Sequence, residues 1–163
     1  MRYYAGCGSQ ETPEKVLQLI RLVAATLSKR GITLRTTEQT SADLAFRQGS
    51  NGKFFTYLTA QDFEGSSVWG IPPISSPSDV RSALARKLDP RFLMKTELEK
   101  GQELAAIQVM LGCSTKDPAK MLIVYGADSF SKRCVELASQ YQIPVFDLAL
   151  KADRAKVMSW LNK

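Results

Sequence analysis

Any chemistry in this chain has to be done without histidine. None occurs among its 163 residues, which removes Ser–His and Cys–His nucleophile pairs, imidazole metal ligands and the commonest general base. Recognition or reaction then falls to carboxylates, lysine, tyrosine and backbone amides. Cys7, Cys113 and Cys134 are odd in number and far apart, the pattern of reduced thiols packed as small hydrophobes rather than of disulfides or a C-x-x-C metal site. Neither a metal nor a cofactor is expected. The segment best suited to an anion is Gly6-Cys7-Gly8-Ser9, a glycine pair ahead of a helix start, whose amides can nest around a phosphate. The same glycines can equally be structural. Asp43 can anchor a ribose hydroxyl or a base edge, or simply cap its helix. Glu38 either alters specificity or is an ordinary loop residue.

The elements that position these residues follow from periodicity. A strand over 2–5 runs into a tight turn at Gly6–Ser9. Thr12-Pro13-Glu14 then starts a helix, with Thr12 as cap and Pro13 in the first helical position. Its core stripe is Val16, Ile20, Val23 and Leu27, broadened by Leu17, Leu19 and Leu22, and Gly31 ends it. A second strand covers 32–36, a short helix 42–48, and a β-rich stretch 54–59 follows the Ser50-Asn51-Gly52 turn. Residues 60–77 read as a long loop. Helices are expected at 78–88 and 92–111, a doubly buried strand at 121–124, a helix at 129–141, a strand at 143–146 and a closing helix at 151–161. Alternation of this kind implies an α/β, Rossmann-like domain spanning 1–163, with a mostly parallel sheet of about five strands flanked by helices. Ligands in such sheets sit beyond the carboxyl ends of the strands, which singles out the loops 6–12, 37–41 and 126–131.

Bulk properties agree with one soluble domain: 44% hydrophobic and 23% charged residues make an ordinary globular balance. No apolar run approaches the ~18 residues of a membrane span, and no signal peptide is evident, so a cytoplasmic protein is expected. The net charge of +6 favours anionic partners. Arg81, Arg86, Lys87, Arg91 and Lys95 face a single acid, Asp89, beside Phe92. They form either a phosphate-backbone contact surface or a solvated helix face. Trp69, Phe63 and Tyr57 can stack a base or pack under the loop. The apolar Ala105, Ile107, Val109 and Met110 can pack on the sheet or on a second copy in a homodimer.

The opening Tyr4-Ala5-Gly6-Cys7-Gly8-Ser9-Gln10-Glu11-Thr12-Pro13 resembles the start of phage-type SLOG proteins, relatives of DprA/Smf and the LOG phosphoribohydrolases, which begin Y-A-G-I-G-S-R-E-T-P. Ser41-Ala42-Asp43-Leu44-Ala45-Phe46-Arg47-Gln48-Gly49 is similar to their G-A-D-x-A-F-E-x-G. Tyr141-Gln142-Ile143-Pro144-Val145-Phe146-Asp147-Leu148 is similar to Y-G-I-P-V-F-N-L. The three matches keep the family order and span nearly the whole chain. The resemblance implies a nucleotide-binding Rossmann-like fold with ligand contacts at Gly6, Cys7, Gly8, Ser9, Thr37, Asp43, Ser129, Ser131 and Lys132.

The chain departs from that family at its phosphate loops. S-G-G-A-D-G-A-D falls on Thr36-Thr37-Glu38-Gln39-Thr40-Ser41-Ala42-Asp43, and G-G-T-G on Ser129-Phe130-Ser131-Lys132. Glu38 places negative charge in the first cradle and Phe130 obstructs the second. The P-G-G-x-G-T-x-x-E of LOG enzymes has no counterpart. The leading expectation is therefore a non-catalytic protein that binds a nucleotide-derived molecule or single-stranded nucleic acid. Two alternatives stand beside it. One is a LOG-like nucleoside-monophosphate N-glycosidase using Glu38 or Asp43. The other, suggested by the family's frequency in phage genomes, is a phage inhibitor that binds a host protein in the host cytoplasm.

Overall fold

The computed structural model describes residues 2–57 and 80–162. These form five strands, β1 (Arg2–Gly8), β2 (Ile32–Thr36), β3 (Phe54–Thr56), β4 (Leu122–Tyr125) and β5 (Val145–Asp147), ordered β3-β2-β1-β4-β5. Every strand pairing is parallel, and Ala5 sits in register between Arg35 and Leu122. Helices α1 (Glu14–Lys29), α2 (Ser41–Gly49), α3 (Val80–Leu88), α4 (Glu97–Leu111), α5 (Ser129–Gln140) and α6 (Lys151–Ser159) cover the two faces. This is the expected α/β Rossmann-like arrangement.

Side-chain alternation along the strands builds two cores. Tyr4, Leu34 and Ile123 point to one face, where α1, α2 and α6 supply Ile20, Val23, Phe46 and Val157. Ala5, Cys7, Leu122 and Val124 point to the other, under α4 and α5 with Ile107, Met110 and Leu137. A strand with both faces covered has to read as a continuous apolar run, as β4 does. The apolar side of α4 lies wholly within this second core, with Ala105, Ile107, Val109 and Met110 all at 0% exposure. That side is spent on the chain's own sheet, not on a second copy.

Several boundaries differ from expectation, each for a local reason. β1 continues through Gly8 instead of turning at Gly6, because Gly6 and Gly8 stay in the ladder opposite Ile123 and Tyr125. Their missing side chains admit α2: a Cβ on Gly6 would lie 2.8 Å from the Phe46 ring, and one on Gly8 would lie 2.6 Å from Ala42 Cβ. Thr12 does not cap α1. Its hydroxyl donates to Ser9 O at 2.6 Å, and Pro13 occupies the cap position. Leu22, placed in the buried stripe by spacing, is 57% exposed; it lies two residues past Ile20, about 200° around the helix. The helix expected over 92–111 is broken. A 3-10 turn (Phe92–Met94) precedes α4, whose start is a capping box in which Thr96 Oγ1 accepts from Glu99 N–H and Glu99 Oε2 accepts from Thr96 N–H. The helix expected over 42–48 runs on through Gly49, which packs against α1, where a Cβ would lie 2.3 Å from Arg21 O. Gly31 ends α1 in the left-handed region at φ +73°, as glycine there allows. The loop expected at 60–77 lies outside the described residues.

Candidate functional site

The chain reverses its direction of travel across the sheet between β1 and β4, and the carboxyl ends of these strands and β2 surround a slot of about 270 Å³. In a parallel sheet this crevice is where no crossover covers the strand ends, so a ligand can reach them. Gly8 contributes from the end of β1, Thr37 from the end of β2, and Asp128 and Phe130 from the start of α5.

Asp43, on the first turn of α2, is the central charged group of the slot. The turn is held by Thr40, whose Oγ1 accepts from Asp43 N–H at 3.1 Å. Asp43 Oδ2 accepts from Thr37 Oγ1 and from Gln39 N–H. Its other oxygen, Oδ1, is buried with no hydrogen-bond partner, and the residue is only 1% exposed. Desolvation pushes this carboxyl from 3.8 up to about 6, against the hydrogen bonds from Thr37, Gln39 and Thr40, with a further push from the Asp128 charge. A buried carboxylate oxygen left unsatisfied is costly, and such costs are retained where an outside donor completes the site.

Three backbone donors of the strand-end loops are already used by the protein itself. Ser9 N–H donates to Tyr125 O, Ser41 N–H to Gln10 Oε1, and Lys132 N–H to Asp128 O. Asp128 caps α5 and spends both carboxylate oxygens on Ser131, accepting from its N–H at 2.8 Å and its hydroxyl at 3.1 Å. Gly6–Ser9 is therefore strand and closed turn, not an open anion nest. Cys7 is fully buried in the core under α5, and Ser131 is fully buried on Asp128. Gly8, Thr37, Asp43 and Ser129 do line the slot. Glu38 turns outward to an ion pair with Arg47 at 2.9 Å, so it neither charges a cradle nor reaches Asp43.

A second groove of about 340 Å³ lies between α4 and α5 and shares Gln102, Ser129 and Phe130 with the slot. Its wall is Arg133, whose guanidinium grips the buried carboxylate of Glu103 in three contacts of 2.7, 2.8 and 3.0 Å and reaches Glu136 at 2.9 Å. Lys132 and Lys95 stand on its rim. Gln102 and Glu103 were not singled out by sequence, and Gln10, Gln39, Thr40 and Asp128 only as members of the loops 6–12, 37–41 and 126–131. Asp128 did carry a signal: an acid immediately before Ser129-Phe130-Ser131 is an N-cap pattern. A lone acid in the apolar Leu104-Ala105-Ala106-Ile107 neighbourhood was the signal for Glu103.

Neither a protein-family model nor a curated protein matches the sequence. Among solved structures, the chain is similar to DNA processing protein A from Helicobacter pylori, a protein with a single-stranded DNA binding mode. The two superpose with a TM-score of 0.53 at 15% identity, over 90% of this chain. The fold is DprA-like. This chain spans 64% of the length of that structure.

In this DprA-like fold the basic stretch after residue 80 is not one surface. Arg81 is only 3% exposed and Phe92 4%, both beneath the surface they were expected to form. Arg91 and Lys95 both converge on Asp89, at 3.9 and 3.0 Å. The Arg91 N–H, and then Lys95, hold that carboxyl below its usual range. Arg86 and Lys87 remain on the exposed side of α3. Tyr57 is buried, and Trp69 and Phe63 lie outside the described residues. Among the described residues no helix is long and apolar enough to cross a membrane.

Proposed function

We propose that this chain is a non-catalytic binding protein whose ligand, a nucleotide-derived molecule or single-stranded nucleic acid, is completed by Asp43 in the slot above β1, β2 and β4. The observation that carries this reading is the buried Asp43 carboxyl with Oδ1 unpartnered at the switch point of a parallel sheet. A ligand that satisfies it must supply an N–H or O–H, as a base edge or a sugar hydroxyl does. The side-chain amide of Gln102, which lines the slot with it, carries both donor and acceptor groups suited to a base edge.

Titration at low salt with nucleosides, nucleotides, cyclic nucleotides and single-stranded DNA tests the reading. One class should bind, and Asp43→Ala should weaken it by about tenfold or more, the value of a hydrogen bond to a charged group. Absence of binding across the whole panel overturns it.

The enzyme reading keeps one supporting observation: a carboxyl raised to about 6 is poised as a general acid. Against it, Asp128 has both oxygens committed to Ser131 and Glu38 is paired with Arg47. Base release from AMP, abolished by Asp43→Asn, would favour the N-glycosidase; intact AMP after prolonged incubation argues for binding alone.

A further inference from the structure

The slot and the groove differ in charge in a way that assigns parts of a ligand to each. Among the described residues, no Lys or Arg lines the slot, while two carboxylates, Asp43 and Asp128, do. A phosphate placed there would meet negative charge with no cation among the described lining residues to offset it. The slot therefore suits an uncharged, donor-bearing group.

Beyond Phe130 the lining balances three cations, Lys95, Lys132 and Arg133, against three carboxylates, Glu99, Glu103 and Glu136. In the α4–α5 groove Arg133 is neutralised by Glu103 and Glu136, Lys95 by Asp89, and Glu99 holds Thr96 N–H at the start of α4. Lys132 is left as an exposed cation with no carboxylate partner among the described residues. Lys132 thus lines one cavity and the orphan Asp43 oxygen belongs to the other, with Phe130 lining both. The two cavities meet at Gln102, Ser129 and Phe130.

Resting on the binding reading above, we infer that the anion subsite has moved off the strand-end loops into the α4–α5 groove: the ligand is a nucleotide lying across Phe130, with its base or sugar on Asp43 and a phosphate on Lys132. With a single phosphate contact, the salt dependence is shallow. The salt sensitivity is that of ordinary screening of one exposed ion pair.

The experiment compares four deoxynucleosides with their 5′- and 3′-monophosphates by calorimetry, against the intact chain and three variants. The intact chain should prefer one monophosphate over its nucleoside by about two- to fivefold, the scale of one ion pair on an exposed lysine. Lys132→Ala should abolish that preference while keeping nucleoside affinity and melting temperature, and Lys132→Arg should retain it. Asp43→Ala should weaken nucleoside and nucleotide alike. A monophosphate preference that survives Lys132→Ala, or no preference in the intact chain, overturns the displaced subsite and leaves the binding reading standing. Failure of every nucleoside and nucleotide to bind overturns the displaced subsite, and failure of single-stranded DNA as well overturns both.

Discussion

Thr37, at the end of β2, donates its hydroxyl to Asp43 Oδ2 on α2, and Oδ1 of the same carboxyl is buried without a partner. One oxygen is saturated by the protein and the other is left for something else. The loop after β2 thereby fixes the carboxyl in one orientation before any ligand arrives, which lowers the ordering cost of binding.

The pH dependence of stability should carry the signature of Asp43. Its carboxyl is raised from 3.8 to about 6 in the folded chain, so between these values the folded state holds the proton more tightly than the unfolded state. Its contribution is fully present below about pH 4 and is lost as pH rises through about 6. The loss is on the order of 3 kcal/mol, from about 1.4 kcal/mol per unit. Asp43→Asn removes this titration, so its urea midpoint should gain on the unmodified chain between pH 4 and 6.5. Parallel curves for the two proteins would contradict the assignment.

Ligand affinity should titrate in the same window with the opposite benefit. The ionised Oδ1 accepts from the ligand, so binding tightens as pH rises through about 6 and levels off above it. Dissociation constants measured from pH 5 to 7.5 check this. Affinity falling over that range would mean that a protonated Asp43 donates to an acceptor on the ligand.

Two glycines should separate packing from recognition. Gly49→Ala forces a Cβ to within 2.3 Å of Arg21 O, a backbone atom that cannot swing away. It should cost about 1–3 kcal/mol in urea unfolding, as overpacking does. Gly8→Ala pushes against Ala42 Cβ and Tyr125 O, lifting the start of α2 from the sheet, so ligand affinity should fall together with stability. An unchanged midpoint in Gly49→Ala would show that α1 and α2 do not depend on this close approach.

Arg133 and Glu103 should behave as a coupled pair. Arg133→Met strands a carboxylate that is only 3% exposed and should destabilise by about 2–4 kcal/mol, because an unpaired buried charge keeps its desolvation cost. Adding Glu103→Leu should restore much of the loss. A double-mutant cycle in urea reads the coupling, and additive effects would show the contact to be incidental.

The sequence alone determined the alternation of strands and helices, the parallel sheet, the end of α1 at Gly31 and the loops that would border the site. These follow from local periodicity and turn chemistry, which neighbouring residues carry by themselves. Asp43 was legible as a candidate because Ser41–Gly49 resembles G-A-D-x-A-F-E-x-G. Its orphan oxygen was not, since burial depends on how closely α2 approaches the sheet over Gly6 and Gly8. The tertiary structure also decided that Ser9 gives its amide to Tyr125, that Glu38 turns to Arg47, that Arg81 lies inside, and that Lys132 and Asp43 line different cavities, with Phe130 lining both. Each of those outcomes is set by groups on different elements competing for the same donors and charges, and a one-dimensional pattern does not record who wins.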